Sequence, residues 1–282
     1  MVNPIMRREV ITLFRRKRTY VWVSLYIAFL IYEVGTMWPG TGNYYYGNSA
    51  NVIFDIISVS RRMATEILFT IMVLISILLP AYMATTFTRE KEENTLITLA
   101  TTPLTILDII IGKVQVGAFY TLFFLVVTLP IFGALYRLGG FKITEVLQSY
   151  IIIFMLSFAQ NLWAMAFSVI SSTSYKAIGR TYAFFFLMMF VGGMLMEVFR
   201  INGIGYVFDA AYINPFICIN YIFFGQKYYS YGLNVVKRSN TDLVFGIFYT
   251  ETVQFVGFYA LVSLVFLMLI YVIYKKLSHR WM

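Results

Sequence analysis

Charged side chains are scarce in this chain, so the places where they gather are the first places to look for chemistry. Asp, Glu, Lys and Arg make up 12% of its 282 residues, yet Arg89-Glu90-Lys91-Glu92-Glu93 sets five in a row. The run mixes signs and has no His or Cys beside it. That pattern suits recognition by charge pairing better than proton transfer or nucleophilic attack. Leu96 and Leu99 follow, and Pro103 stops the pattern. Acids in a first helical turn complement the helix dipole, so a short helix over Glu90 to Ala100 is predicted. Leu96 and Leu99, with Thr95, give it one partly apolar face, and Thr105 caps the helix after Pro103. Such an element can dock into a partner's groove. Arg89, Glu90, Glu92 and Glu93 would then set the register, and Leu96 and Leu99 would supply the buried contact.

Other candidates are few. Glu33 and Glu197 lie near the ends of apolar runs, where an acid either serves a pathway or reaches the headgroup layer. The Met and Phe run from Phe184 to Met196 either lines a plastic apolar path or packs against lipid. Gly192-Gly193 allows close helix approach. Cys218 is the one cysteine and His279 the one histidine, so neither a disulfide nor a metal site is expected. No set of carboxylates and no Ser/His/Asp or Cys/His grouping marks a catalytic site. Gly112-Lys113 lacks the upstream glycine and the following hydroxyl of a phosphate loop, so the chain is not expected to hydrolyse ATP or to be an enzyme.

The elements that must position these residues are set by hydropathy. Hydrophobic residues make up 60% of the chain, and its mean hydropathy is +0.76. A soluble domain carries about 25% charged residues; half that charge leaves apolar surface that only lipid can cover. The predicted fold is an all-α integral membrane protein, one domain over residues 1–282. Spanning a bilayer takes about 20 apolar residues. Six runs qualify: Thr19 to Trp38, Ala64 to Ala84, Val114 to Tyr136, Val146 to Ile170, Thr181 to Phe199 and Val253 to Tyr274.

Lys and Arg crowd the cytoplasmic flanks of such helices. With both termini inside, 14 of the 22 basic residues fall inside and 8 outside. Arg15-Arg16-Lys17-Arg18, hard against the first run, weighs most. The net charge of +9 is read as this anchoring, not as nucleic-acid binding. In residues 1–18, Met6, Val10, Leu13 and Phe14 share one helical face while Arg7, Arg8, Arg15 and Arg18 take another. This predicts an interfacial helix, the alternative being a solvated basic arm. The second inner loop is expected over Ser171 to Arg180.

Two outer connections are long. In the first, Pro39 to Met63, the chain turns apolar again from Val52, so the second helix is expected to start early. In the other, residues 200–252, apolar runs are short and Asn214-Pro215 breaks any helix there. Short re-entrant helices are expected on the outer side, with two extra spans as the alternative. Asn214, Pro215 and Phe216, with Glu33 and Glu197, are the candidate pathway or gate residues.

Across residues 85–113 the chain resembles a known family. Glu90 to Glu93, Thr95-Leu96, Thr102-Pro103-Leu104 and Gly112-Lys113 are similar to the signature of type-two ATP-binding-cassette (ABC) exporter permeases. That signature runs through an acid-rich turn, Gly-Thr-Leu-Glu, Thr-Pro-Leu and Gly-Lys. The chain departs from it at Asn94, where Gly is usual, and at Ile97, where Glu is usual. Asn3-Pro4 with Arg7-Arg8-Glu9, the six runs and Asn214-Pro215-Phe216 extend the resemblance over nearly the whole chain. The resemblance implies a permease subunit, an exporter, in the plasma (inner) membrane of a prokaryote. It implies two copies of a separate ATPase subunit carrying ATP and magnesium, and a second permease half, identical or related. A membrane anchor or mechanical transmitter, moving an external partner without solute transport, is the other reading.

Overall fold

A computed structural model of the chain describes residues 4–15, 17–38, 52–93, 106–201, 214–224, 243–244 and 248–281. Almost all of what it describes is helical. The elements are α1 (Pro4–Arg15), α2 (Lys17–Met37), α3 (Val52–Ala84), α4 (Thr88–Glu92), α5 (Ile106–Tyr136), α6 (Ile143–Ile170), α7 (Ser174–Ile201), α8 (Pro215–Phe224) and α9 (Thr250–Trp281). A two-residue antiparallel pair, β1 (Leu243–Val244) with β2 (Phe248–Tyr249), precedes α9. Five of the helices, α2, α3, α5, α6 and α9, are long and apolar enough to cross a membrane. This is an all-α, multi-pass membrane architecture. The predicted fifth run also lies on one helix, the 28-residue α7.

The order of burial identifies the centre. In the apolar stretch of α6, 72% of residues are buried, against 12% in α2 and 17% in α9. Accordingly α6 packs against α9, α3, α5, α7 and α8, while α2 touches mainly α3. A helix surrounded on all sides need not be uniformly apolar. Lipid offers no partner to a polar group, so interhelical hydrogen bonds act as glue. On α6, Ser157 Oγ meets Thr121 Oγ1 at 2.9 Å, Tyr150 Oη meets Thr128 Oγ1 at 2.6 Å, and Gln148 Oε1 accepts from Thr252 at 3.2 Å. Aromatic edges fill the rest, with Trp163 packed on Phe184 and on Phe266.

Two prolines sit inside spanning helices, Pro80 in α3 and Pro130 in α5. A proline leaves the carbonyl four residues earlier without its helical partner and loosens the turn around it. Beside Pro80, the Tyr182 hydroxyl of α7 donates to the carbonyl of Ile77 in that loosened turn.

The early start expected for the second span is present, since α3 begins at Val52 and runs 33 residues. At 1.5 Å per residue it is about 50 Å long, well beyond the roughly 30 Å hydrocarbon core. The helix expected after Pro103 is present, residues 106–113 being the first turns of α5. The loop expected over Ser171 to Arg180 is shorter than expected: α7 starts at Ser174, so only Ser171 to Thr173 are non-helical, with Ser171 at the C-cap of α6.

Candidate coupling site

The five-charge run forms α4, a single short helix at one end of the bundle, beside the C-terminus of α6 and the start of α7. It begins at Thr88, two residues before the predicted start, and its last helical residue is Glu92, with Glu93 at the C-cap. The helix is too short to hold itself together, because nucleating a turn costs more than one hydrogen bond returns. Neighbouring helix ends hold it instead. The Phe87 and Thr88 N–H groups donate to Ser168 Oγ near the end of α6, at 2.9 and 3.1 Å. Phe87 itself is buried, and its ring packs on Tyr274 of α9 with centroids 5.4 Å apart.

Each charge then finds a different use. Lys91 Nζ donates to the carbonyls of Ser168 (3.3 Å) and Ser171 (3.0 Å), and to that of Val169. These are orphan carbonyls at the C-terminus of α6, where the helix dipole favours a cation. Glu92 does the converse job at the start of α7: its carboxylate accepts from the Ser174 N–H at 2.8 Å and the Ser174 hydroxyl at 2.9 Å. Those two bonds favour the charged form and hold this exposed carboxyl, beyond the end of α3, below its ordinary range. Thr88 Oγ1 lies 3.0 Å from Ser174 Oγ, and Arg180 Nη1 donates to Ser171 Oγ at 3.1 Å. Two adjacent residues, Lys91 and Glu92, thus grip the facing ends of α6 and α7.

Glu90 turns the other way, to α5. Lys113 is 4% exposed, and its Nζ sits 2.6 Å from Glu90 Oε1, 3.3 Å from the Thr86 carbonyl and 4.5 Å above the Phe87 ring. A lysine this deep requires its partner, since an unpaired ammonium in that setting is strongly disfavoured. Arg89 and Glu93 pair with each other at 2.8 Å across one turn, with 62% and 53% of their side chains exposed. Of the four charged residues expected to face a partner, Glu90 and Glu92 are therefore engaged within the chain, while Arg89 and Glu93 face outward. Leu96 and Leu99 lie outside the described residues.

Among the pathway candidates, Glu33 and Phe216 meet consecutive residues of α3. Thr70 Oγ1 donates to Glu33 Oε1 at 2.6 Å, and Phe69 packs edge-on against Phe216 with centroids 5.2 Å apart. Glu33 Oε2 is shielded and finds no partner among the described residues. Asn214-Pro215, expected to break a helix, starts one. Asn214 Oδ1 accepts the Phe216 N–H at 3.0 Å, and Pro215 takes the first helical position, where its missing N–H costs nothing. The backbone of Glu197 is in α7; its side chain lies outside the described residues.

Sequence reasoning missed Ser168, Ser174 and Arg180, which complete the site. The run Ser171-Ser172-Thr173-Ser174 is a helix-start signal of the kind that could have moved α7 forward. That Glu92 supplies the cap from 82 residues away has no local signature.

In comparison with known proteins, no family model matches the chain, and no curated protein matches it either.

Proposed function

We propose that this chain is the membrane-spanning permease subunit of an ATP-driven exporter of the type-two ABC kind. It crosses the membrane six times, α7 being the additional crossing, with both termini in the cytoplasm of a prokaryotic cell. It pairs with a second permease half, identical or related, and is driven by two ATPase subunits that carry ATP and magnesium.

The observation that supports this most is how α4 is anchored. Nucleotide-driven motion takes place in water, and the moving pathway lies in lipid, so a rigid element must join them. Helix α4 is attached to α3 by three residues, to α5 through Glu90 and Lys113, to α6 through Lys91 and to α7 through Glu92. A push on its outward side, where Arg89 and Glu93 stand, reaches four helices at once. The chain's own residues offer no phosphate loop, which is why the energy source is assigned to a partner.

The test is purification of the chain with and without the nucleotide-binding protein that accompanies it in its native membrane. The pure chain is expected to show no ATPase activity. Activity, and ATP-dependent loss of a solute from vesicles, is expected once the partner is restored. With Glu92→Ala and Leu96→Ala combined, the chain should insert normally but bind the ATPase weakly or fail to couple hydrolysis to transport. Sustained hydrolysis by the pure chain would refute the reading, and so would parental transport by the double variant.

A further inference from the structure

Between α5 and α6, in the half of the bundle away from α4, the surface opens into a groove of about 420 Å³. Leu122, Val126 and Leu129 form one wall and Leu147, Ile151 and Phe154 the other. Of the three polar residues that line it, the Tyr150 hydroxyl is shared with Thr128, Gln148 Oε1 accepts from Thr252, and Thr144 lies at the end nearest the α5–α6 turn. The α5 wall continues along one helical stripe, 122, 126, 129, 133, 136, since residues three and four apart share a face. At 133 that stripe has glycine, and a Cβ there would meet nothing within 4 Å. No side chain at 133 therefore closes the stripe between the groove and Tyr136, at the α5–α6 turn. From Leu122 to Tyr136 is about 21 Å of helix, against about 15 Å for the hydrocarbon of one leaflet.

The mouth of the groove is cationic. The turn Arg137-Leu138-Gly139-Gly140-Phe141-Lys142 holds two basic residues and no acid, and both are exposed. The next acid, Glu145, is buried and neutralised by Arg61 at 2.7 Å. Arg137 and Tyr136 also line a second hollow, of about 440 Å³, formed with the Gly139-Gly140 backbone.

We propose that this groove binds one acyl chain of an anionic phospholipid, whose phosphate rests at Arg137 and Lys142. An apolar slot beneath two exposed basic residues matches an amphiphile with a negative head. A second copy of the chain fits the surface less well. Two copies inserted the same way round and related by a twofold axis present the same patch to each other, which would set Arg137 and Lys142 against their own counterparts.

The test uses the full-length chain in phosphatidylcholine vesicles doped with a lipid carrying a photoreactive group in its acyl chain. The probe has either a phosphatidylglycerol or a phosphatidylcholine head. Mass spectrometry of the cross-linked peptides should place the label on residues 122–129 and 147–154, several-fold more with the glycerol head. Arg137→Gln with Lys142→Gln should abolish that preference without moving the thermal unfolding midpoint. Val126→Trp, which fills the slot, should reduce labelling by both probes. Label spread evenly over the lipid faces of α2 and α9 would overturn the proposal, as would equal labelling by the two heads. Efficient cross-linking between two copies through Val126→Cys, in a Cys218→Ala background, would overturn it in favour of a dimer contact.

Discussion

The two ends of α3 are tied to the rest of the bundle in different ways. At its N-terminal end, contact is close and steric. Ser60 Oγ donates to the Gly139 carbonyl at 2.6 Å, Arg61 pairs with buried Glu145, and Gly140 presses against the Ile57 backbone. At its C-terminal end, the link runs through α4, whose side chains hold helix termini by hydrogen bonds. A steric lock resists any displacement, whereas a set of hydrogen bonds to helix ends can be made and broken with little change in packing. The N-terminal end has the construction of a pivot, and the C-terminal end that of a joint.

The largest effect separating the two should come from Gly140→Ala. Gly140 has φ +94°, and a Cβ there would lie 2.4 Å from the Ile57 carbonyl oxygen. Strain and overlap together should cost about 3 kcal/mol, read as a lowered unfolding midpoint in detergent. Gly139→Ala, at φ +77° with nothing within 4 Å, should cost only about 1 kcal/mol. Equal losses at the two positions would show that no steric lock exists there.

Next comes the ion pair at the same end. Glu145→Gln leaves Arg61 without its counter-charge and weakens the bond to the Lys142 N–H that opens α6. Losing one partner of a fully buried pair costs about 3 to 5 kcal/mol. Because Arg61 is 34% exposed, about 2 kcal/mol is expected, measurable by denaturant unfolding.

At the C-terminal end of α3, Lys113→Met removes the cation from Glu90 while keeping the apolar stem over Phe87. A charged hydrogen bond is worth about 1.5 to 3 kcal/mol, and the loss should fall at the lower limit because Glu90 is 23% exposed. A double-mutant cycle with Glu90→Gln checks this, since the pair must show coupling. Glu92→Ala should barely change global stability. Its signature is local: the amides of 174–177 should exchange hydrogen faster, while those of 60–64 toward the N-terminal end of α3 stay unchanged. The smallest effect is expected for Arg89→Ala with Glu93→Ala, an exposed pair worth roughly 0.5 kcal/mol or less. If this outward pair contacts an ATPase, the double change should lower the affinity for that partner far more than it lowers stability.

Much of the fold is legible without coordinates. Apolar runs of the right length predict the long helices, and a break in hydropathy at Val52 predicts the early start of α3. The charged run is conspicuous for a simple reason, that ionised groups near a membrane are costly unless used. Its partners are not legible. In sequence Glu90 and Glu92 look like charges awaiting another protein, yet both are engaged within the chain, by Lys113 of α5 and Ser174 of α7, and Lys91 between them holds the end of α6. Asn214-Pro215 reads as a break because proline disfavours the helix before it; the same residue is well suited to begin one.

By itself, then, the sequence determined which segments are helices, where charge concentrates and that lipid must surround the chain. Those properties follow from local composition and from the cost of exposing apolar surface. Only the tertiary structure decided which helix lies at the centre, which acid caps which helix and which glycine is locked. Glu92 meets Ser174, and Arg61 meets Glu145, across separations of 82 and 84 residues. The first arises because every helix end leaves orphan N–H and C=O groups that a nearby side chain of the right charge can satisfy, the second because a buried carboxylate needs a counter-charge. The packing of the spans selects which one comes within reach.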